Sequence, residues 1–322
     1  MMVSFWRNNY RVIIYLLTFL SVWVGLVMTA KLKINASAAT RGLYDALENL
    51  PETHAAMIKE DEEKLRQLIS DEKADPKVIT ALEEHISRSK INTNGVVLLN
   101  INYNPGSEAE LTPMSQAVCR HAFRRGAKLL INVGYDVMSQ PLAQKIISDA
   151  ALDGRSVDPP YPFRESGVDY LFFGFRPNAF QVYLQMGESI TAAYETDYSG
   201  RDTSSMPIMR GIKDFSDIDL VVTVSSFVGG PEMWINVGKT KFNKPVASGM
   251  TAVSASDYYP YLQSGQLCGL LSGLRGAAEY EALVGVNPAP ATRRMWAQLY
   301  IHTFAILLII IGNIEYLFRT KK

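Results

Sequence analysis

Five short apolar runs, each followed by a stretch of helical pattern, constrain this chain more than any other feature. They are "VVLLNINY" (Val96–Tyr103), "KLLINVGY" (Lys128–Tyr135), "DYLFFGF" (Asp169–Phe175), "DLVVTVSS" (Asp219–Ser226) and "PVASGM" (Pro245–Met250). Such near-continuous hydrophobicity suits strands covered on both faces. The segments after them, roughly 113–125, 139–153, 178–195, 231–242 and 258–284, read as helices. Pro113, Pro141, Pro177, Pro231 and Pro260 stand in or near the expected first turns, where a missing N–H costs least. The alternation predicts an α/β fold over 94–286: a doubly wound, mostly parallel sheet of about five strands, Rossmann-like, with helices on both faces.

Long apolar runs flank this region. Val12–Ala30 is 19 residues without a charge, and Met295–Phe318 is nearly as clean, with Glu315 close to its end. Either can span about 30 Å of hydrocarbon as a helix. Ala36, Ser37 and Ala38 resemble a signal cleavage site, but the first run is longer than a typical signal core of about 7–15 residues. The expected order is a cytoplasmic tail (1–11), a transmembrane helix (12–30), a helical stalk (31–93), the α/β domain (94–286), a linker (287–294), a second transmembrane helix (295–318) and a basic tail (319–322). Short basic tails resist translocation, whereas a long middle segment crosses largely regardless of charge. Both termini are therefore expected in the cytoplasm of a cell-membrane protein and the central domain outside it. Ser21, Gly25 and Thr29 add a small-residue face in the first span, and His302 and Asn313 are polar positions in the second.

Charge excludes more than it suggests. Basic and acidic residues number 32 each, and residues 31–294 hold 27 basic and 31 acidic ones. That balance gives no basic footprint for nucleic acid. In the expected stalk, Met57, Ile58, Leu65, Leu68 and Ile69 recur at helical spacing, and "KEDEEK" reads as a solvated helix face. Cys119 and Cys268 lie far apart, in apolar patterns, and read as small buried hydrophobes. No cysteines or histidines have the spacing of metal ligands, so no metal or cofactor is expected.

Near the end of the α/β region, Gly265, Gly269, Gly273 and Ala277 are four apart. In one helix they would share a nearly bare face, suited to close packing on the sheet or to a subunit interface. Arg275, Glu279 and Glu281 in the same stretch argue against a membrane crossing.

Ligands of open parallel sheets bind beyond the carboxyl ends of the strands. There the sequence offers Asn102, Tyr103 and Asn104, then Tyr135 and Asp136, then Arg176, then Ser225, Ser226, Gly229 and Gly230, then Thr251. No Walker loop, dinucleotide fingerprint or nucleophile elbow accompanies them. Gly229 and Gly230 could offer N–H groups to an anion, but Glu232 in the same first turn opposes one. His54, His85, His121 and His302 all fall away from the strand ends, against a serine–histidine–acid triad. Two long connectors, Leu152–Val168 and Thr196–Ser216, suit lids or partner surfaces. The expectation is a non-catalytic accessory or sensory subunit. Its ligand candidates are Asn102, Asn104, Asp136, Arg176, Ser226, Gly229, Gly230 and Thr251. Its partners are the lipid bilayer, other membrane subunits or copies of itself. The alternative is a membrane-tethered hydrolase or transferase with Asp136 as base, Arg176 as electrostatic clamp and Ser225 beside them.

Overall fold

The computed structural model describes residues 12, 14–24, 34–71, 74–227 and 229–319. Its centre is a sheet of β1 (Val96–Asn102), β2 (Lys128–Val133), β3 (Tyr170–Phe175), β4 (Leu220–Ser225), β5 (Val246–Met250) and β6 (Gly269–Ser272). The spatial order is β3-β2-β1-β4-β5-β6, and every neighbouring pair is parallel. The order reverses between β1 and β4, as in a doubly wound Rossmann-like sheet. Helices α1 (Ala38–Glu48), α2 (Leu50–Ser70) and α3 (Pro76–Ser89) precede it. Then α4 (Glu108–Arg125), α5 (Ser139–Leu152), α6 (Ala179–Met186) and α7 (Gly229–Trp234) follow β1 to β4 in turn, α8 (Gly273–Val284) follows β6, and α9 (Pro290–Arg319) comes last.

Strand alternation divides the core. Val97, Leu99 and Ile101 of β1 face α1, α4, α5 and α8, while Val96 and Leu98 face α6 and α7. Helix α4 shows why these segments fold locally. Glu108 and Glu110 occupy its first turn, Arg124 and Arg125 its last, and Gly126 ends it at φ 71°. Both charge placements complement the helix dipole, and glycine tolerates the left-handed cap. Pro113 lies inside this helix, one turn later than expected, because α4 begins at Glu108.

The sheet has one strand more than predicted. The stretch 258–284, read as a single helix, contains a left-handed turn at Gly265 (φ 73°), then β6, then α8. Gly265 is therefore on a turn, Gly269 on a strand, and Gly273 and Ala277 on a helix; the four share no helical face. Residues 267–272, "LCGLLS", are an apolar run like the other strands, but glycines at intervals of four imitate a helical repeat. The close approach they permit lies within the chain. Helix α1 crosses β6 where a Cβ on Gly269 would stand 2.7 Å from the Leu43 Cα and one on Gly42 would overlap the Cys268 carbonyl oxygen. Leu43 and Leu47 are fully buried there, so the first helix of the expected stalk belongs to the core. At the amino ends of the strands, Asp219 accepts hydrogen bonds from Val96 N at 2.7 Å and His54 Nδ1 at 2.8 Å, joining α2 to β1 and β4.

Helix α9 starts inside the body. Glu281 accepts from the Ala291 amide at 2.8 Å and from the Thr292 amide at 3.0 Å. Arg294 Nη1 donates to the Ala109 carbonyl at 2.8 Å, the oxygen that Pro113 has no N–H to bond. From Pro290 to Asn313 this helix is long and apolar enough to cross a membrane. Its outer part is exposed along Leu299, Ile306, Leu307, Ile309, Ile310 and Ile311. At the other end the described residues form the shorter apolar helix Ile14–Val24. The remainder of the expected first span (13 and 25–30), with the tail 1–11 and residues 320–322, lies outside the described residues. One candidate span is thus present among the described residues, not one at each end, and the expected two-pass topology is not supported by them.

Candidate functional site

Asn102 ends β1 opposite Ser225 of β4, at the point where strand order reverses. Its side chain is fully engaged. Oδ1 accepts from the Gly134 and Tyr135 amides, both at 2.9 Å, and Nδ2 donates to Asn100 Oδ1 at 2.7 Å. Asn100 Oδ1 also accepts from Thr223 Oγ1 at 3.0 Å, and its Nδ2 donates to Asn132 Oδ1 at 2.8 Å and Tyr183 OH at 2.9 Å. Asn132 Nδ2 completes the chain on Tyr194 OH at 3.1 Å. All six residues are buried, and burial holds the Tyr183 phenol well above its ordinary range. A satisfied buried network of this kind fixes geometry. Of its members, sequence reasoning identifies Asn102 alone. The signal for the others is an asparagine in the middle of two otherwise apolar strands, at Asn100 and Asn132.

The remaining candidates lie at or beyond the carboxyl ends of β1 to β5. Asp136 Oδ1 accepts from the Met138 amide at 2.9 Å in the turn before α5. Ser225 Oγ, buried, donates to the Phe227 carbonyl at 3.0 Å, and a Cβ on Gly230 would stand 2.8 Å from the Ser225 Cβ. Arg176 donates to the Phe175 carbonyl at 3.1 Å and the Thr196 carbonyl at 2.8 Å, tying down the second long connector, with its guanidinium 5.6 Å from the Tyr194 ring centroid. No hydrogen bond joins Asp136, Arg176 and Ser225 among the described residues. Asn104 accepts from Gly106 N at 3.0 Å, Ser226 N donates to the Asn102 carbonyl at 3.1 Å, and Thr251 Oγ1 donates to Ser254 Oγ at 3.2 Å. Gly229 and Gly230 open a six-residue helix with Glu232 in its first turn.

A cavity of about 410 Å³ lies elsewhere on the carboxyl side, between β6, α8, the start of α1 and α9. Its polar lining comes from Ser37, Thr40, Glu110, Ser272, Arg275, Glu279 and Gln298, with Ala252 and Tyr259 on the β5 side. Glu279 is buried in its wall. Burial raises its pKa, but bonds from the Ser37 amide and hydroxyl, the Thr40 hydroxyl and Arg275 together hold the carboxyl below its ordinary value. Glu110 Oε2 accepts from the Ala252 amide at 2.9 Å. Only Nε of the largely exposed Arg275 is taken up by Glu279, at 2.9 Å. Two carboxylates, one guanidinium and several hydroxyls make a site suited to a small polar molecule with both donors and acceptors.

Behind this cavity α8 carries two more buried polar residues. Tyr280 OH bonds His121 Nδ1 at 2.8 Å, and His121 Nε2 bonds Glu48 Oε2 at 2.7 Å. Burial lowers the His121 pKa to about 4. Burial likewise pushes the Glu281 carboxyl up to about 7, outweighing the Ala291 and Thr292 amides that favour its charge. Among the described residues, no group of three or more His, Cys, Asp and Glu side chains is placed to hold a metal ion. Comparison with protein-family models, curated proteins and solved structures finds no match for this chain.

Proposed function

We propose that this chain is a membrane-anchored, non-catalytic accessory or sensory subunit. Its Rossmann-like body binds a small polar ligand in the cavity between β6, α8 and α9, or a partner subunit, and α9 holds it on the bilayer. Residues 12–30 supply the second span, both termini are cytoplasmic, and the body lies on the other side. It works with other membrane subunits or with copies of itself.

The observation that carries this reading is the joint at the base of α9. Glu281 caps the helix, Arg294 pins it to α4, and the same helix continues outward with its apolar side chains uncovered. An event in the body is thereby coupled to the membrane without a flexible tether. That Asp136, Arg176 and Ser225 each hold local structure supports binding over catalysis.

Two experiments test it. Carbonate-washed membranes should retain the full chain; its release into the wash sinks the anchor. A D136N/R176Q double variant should keep its native mass in detergent and complement a deletion strain as well as the parent does. Lost complementation with mass unchanged would move the assignment to a tethered hydrolase or transferase.

A further inference from the structure

Helix α9 leaves the body at one particular edge of the sheet. Arg294 reaches Ala109 at the start of α4, just beyond the carboxyl end of β1. One turn later, Gln298 shares the cavity with Ser272, which ends β6, and Ala252, which follows β5. From Leu299 to Asn313 the helix therefore runs past the carboxyl ends of the strands, by about 22 Å at 1.5 Å per residue. Ser37 meets Glu279 in the same cavity, so the chain ahead of α1 also leaves from this edge.

The segments that follow the strands on that edge display apolar side chains: Val137 and Met138 after β2, Phe180 in the first turn of α6, and Val253 after β5, the last 87% exposed. Leu152 and Val168 are exposed toward the opposite edge, so exposure by itself selects no face. The exit of α9 does. No spare chain separates Gln298 from Leu299, and an edge held away from the bilayer would leave apolar turns of α9 in water.

We propose that the carboxyl edge of the sheet is the membrane-facing surface of the body, with Val137, Met138, Phe180 and Val253 seated in the interfacial layer of the bilayer around α9. This rests on the reading that α9 crosses the membrane. Asp136, Glu232 and Asp257 on this edge offset Arg176, Arg275 and Arg294, so the seat carries no basic excess and fits a zwitterionic lipid surface.

The test uses the full chain with Cys119→Ala and Cys268→Ala, reconstituted into phosphatidylcholine vesicles containing spin-labelled lipid. Single cysteines replace Met138, Val253, Ile309 or Ile91 and carry an environment-sensitive fluorophore; circular dichroism verifies that each variant is folded. Ile91 is exposed just ahead of β1, on the amino side. Labels at 309, 138 and 253 should lose most of their emission to the quencher, and the label at 91 should lose none. Quenching at 309 with none at 138 and 253 overturns the inference and leaves the anchor standing. No quenching at 309 overturns the anchor itself, and quenching at 91 in place of 138 and 253 puts the other edge on the membrane.

Discussion

Glu279 and Glu281, two positions apart on α8, cap the first turns of two different helices. Glu279 Oε2 takes the Ser37 amide at 2.9 Å and the Ser37 and Thr40 hydroxyls at 2.8 Å, at the start of α1. Glu281 takes the Ala291 and Thr292 amides at the start of α9. Side chains two apart on a helix diverge by about 200°, so α8 reaches neighbours on opposite sides. Between them Tyr280 turns inward to His121. Glu279 and Glu281 thus fasten α1 and α9 to α8, while Tyr280 ties α8 to α4.

Glu281 gives stability a pH dependence of unusual sign. Its folded pKa of about 7 lies above the ordinary 4.5, so the folded state binds the proton more tightly. That contribution is fully present below pH 4.5 and is lost as pH rises to 7, a change of roughly 3 kcal/mol for a shift of this size. His121, lowered from 6.5 to about 4, works the other way and costs stability as pH falls through that window. The two windows overlap, so the opposing slopes largely cancel in the parent between pH 4.5 and 6.5. Thermal unfolding of Glu281→Gln in detergent should therefore show a steeper fall in stability than the parent as pH drops from 6.5 to 4. A variant whose pH profile matches the parent's would show that Glu281 does not titrate there.

Gly269→Ala should lower stability by about 1–3 kcal/mol, because the new Cβ meets the backbone of α1 at Leu43. Gly312→Ala, with nothing near its Cβ position, should be neutral or gain about 0.5–1 kcal/mol from helix propensity. Melting temperatures of the two variants decide the matter. Equal effects would mean that the crossing of α1 over β6 is not tight.

Arg294 and Pro113 should be coupled. Removing Arg294 exchanges an exposed hydrogen bond to the Ala109 carbonyl for water and costs about 0.5–1 kcal/mol. In a Pro113→Ala background the backbone supplies an N–H to that oxygen, and the same truncation should cost less. A double-mutant cycle on thermal stability measures the difference; strict additivity would exclude the link.

Asn100→Leu should destabilise by about 3 kcal/mol, since it strips partners from Asn102, Asn132, Thr223 and Tyr183 in a buried site. Asp136→Ala removes one exposed turn bond and should cost about 0.5–1 kcal/mol. Chemical denaturation of both variants compares them directly. A larger loss at Asp136 would mean that its turn, and not the buried asparagine network, holds the strand ends together.

Much of the body is readable from periodicity. The runs at β1 to β5 are mostly apolar because both faces of each strand are covered, and that pattern survives without tertiary information. β6 is hidden because its four residues include a glycine placed for α1, at a spacing that also fits a helix. The site is harder to see. Asp136, Arg176 and Ser225 have the residue types of catalysis, but their partners are main-chain groups a few positions away or on a distant loop. Glu110 comes from α4 and the Arg275–Glu279 pair from α8, far apart in the chain, and no local pattern announces that these helices and the start of α1 converge.

The meeting of α1 with β6 and α8 also sets a clock on biosynthesis. Thr40 and its partner Glu279 are 239 positions apart. At about 5–20 residues per second, a ribosome needs roughly 10–50 s to deliver the second after the first. Throughout that interval Leu43 and Leu47 have no sheet edge to lie on, and the nascent chain presents a greasy helix to whatever is nearby. Burial of Leu43 and Leu47 against β6 thus waits until that last strand has emerged, so a late part of the polypeptide completes an early one.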